Sequence, residues 1–158
     1  MTVAKTPADM ADRIGPILAA HEGAEGACLQ VLQAIQREFG YVPAETLEPV
    51  ARALNLSHAD VWGVLTFYHD LRRAPAGRHV VRVCQAEACQ AMGARGLTEL
   101  LTRRLGCGMG ETSKDGEVTL EPVYCLGNCA LSPAVTVDGA LYGRATEFLV
   151  LDRLGAAR

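Results

Sequence analysis

The chain has few aromatic residues, no long apolar run and no block of charge of one sign. Aromatic residues make up 5% of the 158 residues, so a packed core must consist mainly of Leu, Val, Ile and Ala. No stretch approaches the ~18 consecutive apolar residues of a membrane-spanning helix, so we expect no membrane insertion. The longest basic runs are two residues long, at 72–73 and 103–104, and the net charge is −3. Because this pattern offers no basic stripe for a phosphate backbone, we expect no nucleic-acid partner.

The N-terminal segment, MTVAKTPADMADRIGPILAAH, also lacks the features of a secretory signal. It has no basic region followed by an apolar run and a small-residue cleavage site. We therefore expect a cytoplasmic protein whose six cysteines lie in a reducing compartment. In such a compartment, close cysteine pairs bind metal or act in catalysis more often than they form structural disulfides.

The first half of the chain, residues 1–74, has the apolar spacing of helices. Thr6-Pro7 is typical of an N-cap followed by proline at the first helical position. Pro43 can open a third helix, and Ser57-x-x-Asp60 is a capping-box pattern that opens a fourth. The second helix is indicated by apolar residues that recur every three or four positions: Leu29, Leu32, Ile35 and Phe39. Four short helices joined by brief loops predict a small bundle.

The second half, residues 75–158, follows a Pro- and Gly-containing linker and alternates strands with helices. Asp138-Gly139 is a favoured hairpin turn pair between two of the strands. Strands are predicted at 79–83, 117–120, 134–137 and 140–142, and helices at 91–105 and 147–154. The fold class is therefore α+β, in which an N-terminal helical bundle (1–74) is followed by an α/β domain (75–158).

Two close cysteine pairs, Cys84-x4-Cys89 and Cys125-x3-Cys129, stand out in the second half. Cys84 ends a predicted strand, which is where ligand sites of α/β sheets lie. Gly127 lets the backbone of the second loop curl without a Cβ in the way. Four thiolates that converge from two loops suit a [2Fe–2S] cluster, whose two irons take four Cys ligands.

Other readings of the cysteines stay open at this point. Structural zinc takes four thiolates too, although more often from C-x2-C pairs. The chain would then be a zinc-stabilised binding module with no redox role. A thioredoxin-like dithiol would show C-x-x-C, which is absent, and a Rieske site needs two His ligands beside two Cys, whereas no Cys here has a His within four residues. Cys28, on a helical face, and Cys107, between two glycines, are interpreted as packing or loop residues. We find no acid/base or nucleophile–base pair, and therefore no catalytic residue in this chain.

Several motifs resemble one family, the small iron–sulfur subunit of complex I, often called NuoE-like. They are GVLTFY at 63–68, PAGRHVVRVC at 75–84, GET at 110–112 and CLGNC at 125–129. This family also supplies subunits to NAD-reducing hydrogenases and formate dehydrogenases. Within it, LGCG at 105–108 and TLEPVYC at 119–125 look most like the gamma subunit of soluble, molybdenum-containing, NAD-dependent formate dehydrogenase.

The resemblance implies a thioredoxin-like α/β ferredoxin domain after the bundle, and one [2Fe–2S] cluster. Cys84, Cys89, Cys125 and Cys129 match the family's cluster ligands. The implied function is electron transfer to or from the FMN of a partner flavoprotein, which also binds NAD(H) and a [4Fe–4S] cluster. The implied complex is a formate dehydrogenase with a molybdenum-containing catalytic subunit, the alternatives being complex I or an NAD-reducing hydrogenase. The bundle would dock onto the flavoprotein.

One departure from the family pattern follows the last cysteine. Leu131-Ser132 stands where smaller residues such as Gly or Ala are expected. The departure leaves the four cysteines intact and affects the surroundings of the site. Neither the reduction potential nor the stoichiometry of a complex follows from the sequence.

Overall fold

The computed structural model describes residues 7–155, which fall into two compact units that divide between Pro75 and Ala76. The predicted N-cap, Thr6, lies outside the described residues. No helix in the described part of the chain is both long and apolar enough to cross a bilayer.

The first unit contains the predicted helices. They are α1 (Pro7–Ala19), α2 (Cys28–Phe39), α3 (Leu47–Ala53) and α4 (His58–Phe67). A 3-10 turn, Ala44–Thr46, precedes α3, so the chain becomes helical directly after Pro43, as expected. The core of the unit is apolar and includes Val31, Leu32, Ile35, Val50, Val61 and Leu65.

The predicted capping box at the start of α4 is confirmed. Ser57 Oγ accepts a hydrogen bond from the N–H of Asp60 (3.1 Å), and the Asp60 carboxylate accepts one from the N–H of Ser57 (3.0 Å). This reciprocal pair is the predicted capping box of α4. Gly40 ends α2 in the left-handed conformation, with φ of 82°, which glycine adopts without steric cost.

The second unit is a five-stranded mixed sheet with three helices. Its strands are β1 (His79–Cys84), β2 (Glu111–Thr112), β3 (Val118–Val123), β4 (Val135–Val137) and β5 (Ala140–Tyr142), in the order β2-β3-β1-β4-β5. Its helices are α5 (Glu87–Ala91), α6 (Ala94–Leu105) and α7 (Glu147–Arg153). The β1–β3 pair is parallel, and the other three pairs are antiparallel. Because β1 is central, its last residue, Cys84, lies between the ends of two neighbouring strands.

The predicted helix 91–105 proved wrong at its start. Gly93 has φ of 94°, a left-handed conformation that separates α5 from α6. Cys89 therefore lies inside a short helix and not in a loop before a longer one. The two-residue strand β2 has no apolar pattern and was not predicted. The predicted strand 117–120 continues to Val123 because β3 pairs with the whole of β1.

The predicted hairpin turn is present, and its aspartate also joins the turn to the sheet. Asp138 and Gly139 have φ of 51° and 84°, as the favoured two-residue turn requires. Asp138 Oδ1 accepts a hydrogen bond from the N–H of Val80 (2.8 Å), and Oδ2 lies 2.7 Å from Nδ1 of His79. The contact with His79 and the N–H of Val80 lower the pKa of the Asp138 carboxyl group.

We predict that Asp138→Asn destabilises the second unit in a pH-dependent way. Asparagine tolerates the left-handed turn conformation but cannot carry the charge. A lowered carboxyl pKa stabilises the folded state above the unfolded pKa, about 3.9, and this contribution disappears as pH falls through the folded pKa. We expect a loss of up to about 1 kcal/mol in the free energy of unfolding at pH 7, reduced by solvent screening because the pair is half-exposed.

Urea titrations at pH 7 and at pH 3 measure this difference. The control is Asp152→Asn in α7, an exposed aspartate, which should leave the stability nearly unchanged at both pH values. An equal loss for Asp138→Asn at both pH values would contradict the assignment to the carboxylate.

Candidate metal centre

Cys84 is held where β1 ends, between the ends of β3 and β4. Its N–H donates to the carbonyl oxygen of Ala134 (3.0 Å), and the N–H of the next residue, Gln85, donates to the carbonyl of Val123 (2.7 Å). The Cys84 side chain is buried. The two backbone bonds bring the end of β1 to both segments that flank the second cysteine pair.

Cys89 lies one turn further on, inside α5, and is also buried. Its sulfur lies 3.6 Å from Oγ of Ser132 and accepts a hydrogen bond from the N–H of Ala134. The sulfur atoms of Cys84 and Cys89 are within hydrogen-bonding distance of each other. The first pair therefore forms a close dithiol packed against the segment that follows the second pair.

The segment 85–90, which includes most of α5, is held in place by two glutamine side chains. Nε2 of Gln85 donates to Oγ1 of Thr98 in α6 (3.0 Å), and Nε2 of Gln90 donates to the carbonyl of Gln85 (2.6 Å). Because both amides anchor the segment to neighbouring backbone and helix, the spacing between the two thiols is maintained by hydrogen bonds.

The second pair lies on a loop whose N–H groups point at sulfur. Gly127 has φ of 70°, and its N–H donates to Sγ of Cys125 (3.3 Å). The N–H of Leu126 donates to Sγ of Cys84, so the second loop contacts the first pair directly. Unlike the first pair, Cys125 and Cys129 are exposed. The structure thus brings the four predicted residues to one end of the sheet as a buried pair and an exposed pair.

The environment shifts the pKa values of the two buried thiols in opposite directions. Burial raises the pKa of Cys84, and this effect outweighs the hydrogen bonds from the N–H groups of Ala86 and Leu126. Burial also acts to raise the pKa of Cys89, but its hydrogen bonds with Ser132, Ala134 and Cys84 together lower it below its ordinary value. Cys89 therefore gives up its proton more readily than Cys84, and the thiolate is the form that binds metal.

The donor set fits a two-iron cluster better than a single metal ion. A structural zinc ion needs four ligands around one point, whereas two irons share four cysteines. One close pair on each of two contacting loops, with backbone N–H groups directed at sulfur, fits the second arrangement.

The segment 143–145 forms backbone hydrogen bonds with the residues that follow the second cysteine pair. The N–H of Arg144 donates to the carbonyl of Leu131 (2.6 Å), and the N–H of Ala145 donates to the carbonyl of Pro133 (2.9 Å). Gly143 passes so close that an added Cβ would lie 2.5 Å from Cβ of Leu131 and 2.8 Å from its carbonyl oxygen. Only glycine fits here.

The remaining two cysteines lie in the hydrophobic cores. Cys28 packs in the core of the first unit, and Cys107 in the main core of the second. Both are buried, and burial raises the pKa of each thiol. Their surroundings agree with the packing role expected from the sequence.

Sequence reasoning missed three residues that shape the site: Ser132, Ala134 and Gly143. Ser132 carried a signal, its departure from the smaller residue expected there. Ala134 and Gly143 carried none, because their roles come from backbone contacts between segments that are distant in sequence.

Comparisons with known proteins identify the family. The family model described as thioredoxin-like [2Fe-2S] ferredoxin matches residues 14–155. The NuoE subunit of NADH-quinone oxidoreductase from Pseudomonas aeruginosa is 37% identical over 123 residues, which are 78% of this chain and 74% of that protein. Its counterpart from Escherichia coli K12 is 36% identical over 118 residues, which are 75% of this chain and 71% of that protein.

Among solved structures, a chain of an NAD+-reducing [NiFe]-hydrogenase shares the fold. The TM-score is 0.68 at 17% sequence identity, and the match covers 83% of this chain and 22% of that chain. At this identity the similarity concerns the fold only.

We predict that Gly143→Ala disrupts the second cysteine loop. The added methyl group overlaps the backbone of the 3-10 turn Cys129–Leu131, which cannot move without shifting Cys129. The variant should retain less iron and sulfide per chain than the wild type and should lose them sooner in the presence of a chelator.

Gly96→Ala is the matched control, because Gly96 lies in α6 with open space around its Cα. Alanine is favoured over glycine inside a helix by about 1 kcal/mol, so this variant should be at least as stable as the wild type. Equal iron retention in both variants would show that the close approach at Gly143 does not matter.

Proposed function

The chain belongs to the thioredoxin-like [2Fe-2S] ferredoxin family, and from that premise we propose that it is the electron-transfer subunit of an NAD(H)-linked oxidoreductase complex. As a member of the family it carries a [2Fe–2S] cluster. The observation that carries the proposal is the meeting of two cysteine pairs, on loops 84–89 and 125–129, at one end of the sheet. In this proposal the chain's own role is one-electron transfer, and catalysis belongs to other subunits of the complex.

We assign the ligands as Cys84, Cys89, Cys125 and Cys129. When bound, the cluster supplies one-electron transfer. The protein's contribution is to exclude water from the first pair by burial and to direct N–H groups of Leu126, Ala134 and Gly127 at sulfur. Such hydrogen bonds and the degree of solvent exposure set the reduction potential of a cluster.

The exposed pair marks the edge through which electrons enter or leave. Cys125 and Cys129 are exposed, and the neighbouring Tyr124 has 76% of its surface exposed. We propose that a protein partner covers this aromatic side chain together with the two exposed cysteines. By the resemblance, this partner is a flavoprotein that binds FMN, NAD(H) and a [4Fe–4S] cluster.

The helical unit serves partner docking in this proposal. Its helix α4 is apolar on two sides, since Val61 and Leu65 are buried whereas Trp62, Phe67 and Tyr68 are exposed. Phe67, 74% exposed, packs edge-to-face on Tyr68 with 5.2 Å between ring centroids. A helix with apolar residues on its outer side as well as its inner side is suited to contact with a partner, and this outer side has no cover within the described residues of its unit.

Three complexes compete for the finer assignment. A cytoplasmic, NAD-dependent formate dehydrogenase with a molybdenum-containing subunit is supported by the motifs at 105–108 and 119–125. The same role in complex I is supported by the relatives, which are NuoE subunits of NADH-quinone oxidoreductase. We propose the formate dehydrogenase, with complex I or an NAD-reducing hydrogenase as the alternative.

We predict that Cys125→Ser removes or perturbs the cluster, because a serine hydroxyl is a poor replacement for a thiolate ligand of iron. The purified variant should lose most of its visible absorption and the rhombic EPR signal of the dithionite-reduced protein. Cys28→Ser and Cys107→Ser are the controls, and both should keep two irons per chain. Loss of the cluster in Cys107→Ser would overturn the ligand assignment.

We predict that the tagged chain, produced at its native level in its source organism, co-purifies with a flavoprotein. Isolation under anaerobic conditions, followed by FMN and metal analysis and assays of NAD+ reduction, tests this. Molybdenum together with formate-dependent NAD+ reduction supports the formate dehydrogenase. NADH–quinone activity without molybdenum would move the assignment to complex I, and hydrogen-dependent NAD+ reduction would move it to the hydrogenase.

The same purification tests the docking surface. Phe67→Ser should reduce the recovered flavoprotein several-fold and leave the EPR signal of the chain unchanged. Leu141→Ser, at an exposed leucine in β5, is the control. Full recovery of the flavoprotein with the Phe67 variant would refute docking through α4.

A further inference from the structure

Ser132 is a buried polar residue that contacts both proposed ligand loops. It is 7% exposed and lies directly after the 3-10 turn that begins at Cys129. Its Oγ donates to the carbonyl of Cys129 (2.7 Å) and lies 3.6 Å from Sγ of Cys89. A hydroxyl at this point connects one residue of the buried pair with one of the exposed pair.

Whether Cys89 is a thiol or a metal-bound thiolate decides which hydrogen bonds it can form with Ser132. When Cys89 carries a proton, its thiol can donate to Oγ of Ser132 while the hydroxyl donates to Cys129. When Cys89 is a metal-bound thiolate it has no proton to donate. The hydroxyl of Ser132 is then the only donor between the two side chains, and its single proton must be shared between a carbonyl oxygen and a sulfur that carries negative charge.

We propose that Ser132 is a positioning residue that stabilises the reduced form of the centre by donating a hydrogen bond to the Cys89 sulfur. The inference deepens the proposed function, since it rests on Cys89 being a ligand. Reduction adds one electron and therefore one unit of negative charge, with no bond made or broken and no proton transferred. Added charge on the sulfur strengthens a hydrogen bond to it, so the hydroxyl stabilises the reduced state more than the oxidised state.

The position makes the effect specific to this serine. The N–H groups of Leu126, Ala134 and Gly127 also point at sulfur, but they belong to the backbone and remain with any side chain at 132. Among these hydrogen-bond donors to sulfur, the Ser132 hydroxyl is therefore the one that a side-chain substitution removes. With Gly or Ala, the residue types that the resemblance leads one to expect here, this donor would be absent.

The test is the midpoint potential of the full-length, cluster-containing chain, measured by EPR-monitored redox titration. We expect Ser132→Ala to shift the midpoint to a more negative value. The expected ratio of reduced to oxidised protein at a fixed potential falls about tenfold, which corresponds to about 59 mV for one electron. Ser132→Thr, which keeps a hydroxyl, should restore most of the wild-type value.

A purely structural role for Ser132 would give a different pattern. Ser113 provides the control, since it is 8% exposed in the same unit and bonds to Asp115 and Val118, away from the four proposed ligands. Ser113→Ala should lower thermal stability without moving the potential. If Ser132→Ala also lowers stability but leaves the potential within the scatter of the wild type, the proposal is overturned.

A second pair of variants covers the case in which Ser132→Ala does not retain its cluster. Threonine and valine have nearly the same shape and differ in the hydroxyl, so Ser132→Thr should have a higher potential than Ser132→Val. Equal potentials for this pair would reject the hydrogen bond. Iron content of Cys89→Ser reports separately on the ligand assignment, so failure of the proposed function and failure of the serine inference are distinguishable.

Discussion

The backbone hydrogen bond from Cys84 to Ala134 is the contact on which the site depends. It continues the antiparallel pairing of β1 with β4, in which Val83 lies opposite Val135, by one further step. Its consequence is that the segment after the second cysteine pair must run past the end of β1. The N–H of Ala134 is then directed at the sulfur of Cys89, so a single residue anchors both buried thiols.

The same geometry divides the four thiols into two kinds. Cys84 and Cys89 pack with Ala94 and Ala134 in a small apolar cluster, whereas Cys125 and Cys129 face solvent. Burial on one side limits the access of water, which keeps electrostatic interactions with sulfur strong. Exposure on the other side leaves a route to a partner. The proposed electron-transfer function needs both a centre shielded from water and a route to a partner. The fold provides the shielding at the buried pair and the route at the exposed pair.

Local signals in the sequence were sufficient wherever neighbouring residues determine the structure. The capping box at Ser57, the turn at Asp138-Gly139 and the strand that ends at Cys84 were all predicted and are present. The start of the helix after Cys89 was wrong, because the left-handed Gly93 interrupts an apolar pattern that continues across it. β2 was not predicted, because its two residues, one charged and one polar, form a strand only through their pairing with β3.

The amino-acid sequence by itself determined the fold class, the two cysteine pairs, the resemblance to the ferredoxin family and the expectation that Cys28 and Cys107 are packing or loop residues. It could do so because helix caps, strand patterns and the spacing of cysteines act over a few residues. Only the tertiary structure decided that one pair is buried and the other exposed, that Gly143 has no room for a side chain, and that Ser132 reaches the sulfur of Cys89. Those properties arise where segments more than ten residues apart in sequence come into contact, and such contacts depend on how the whole sheet is paired.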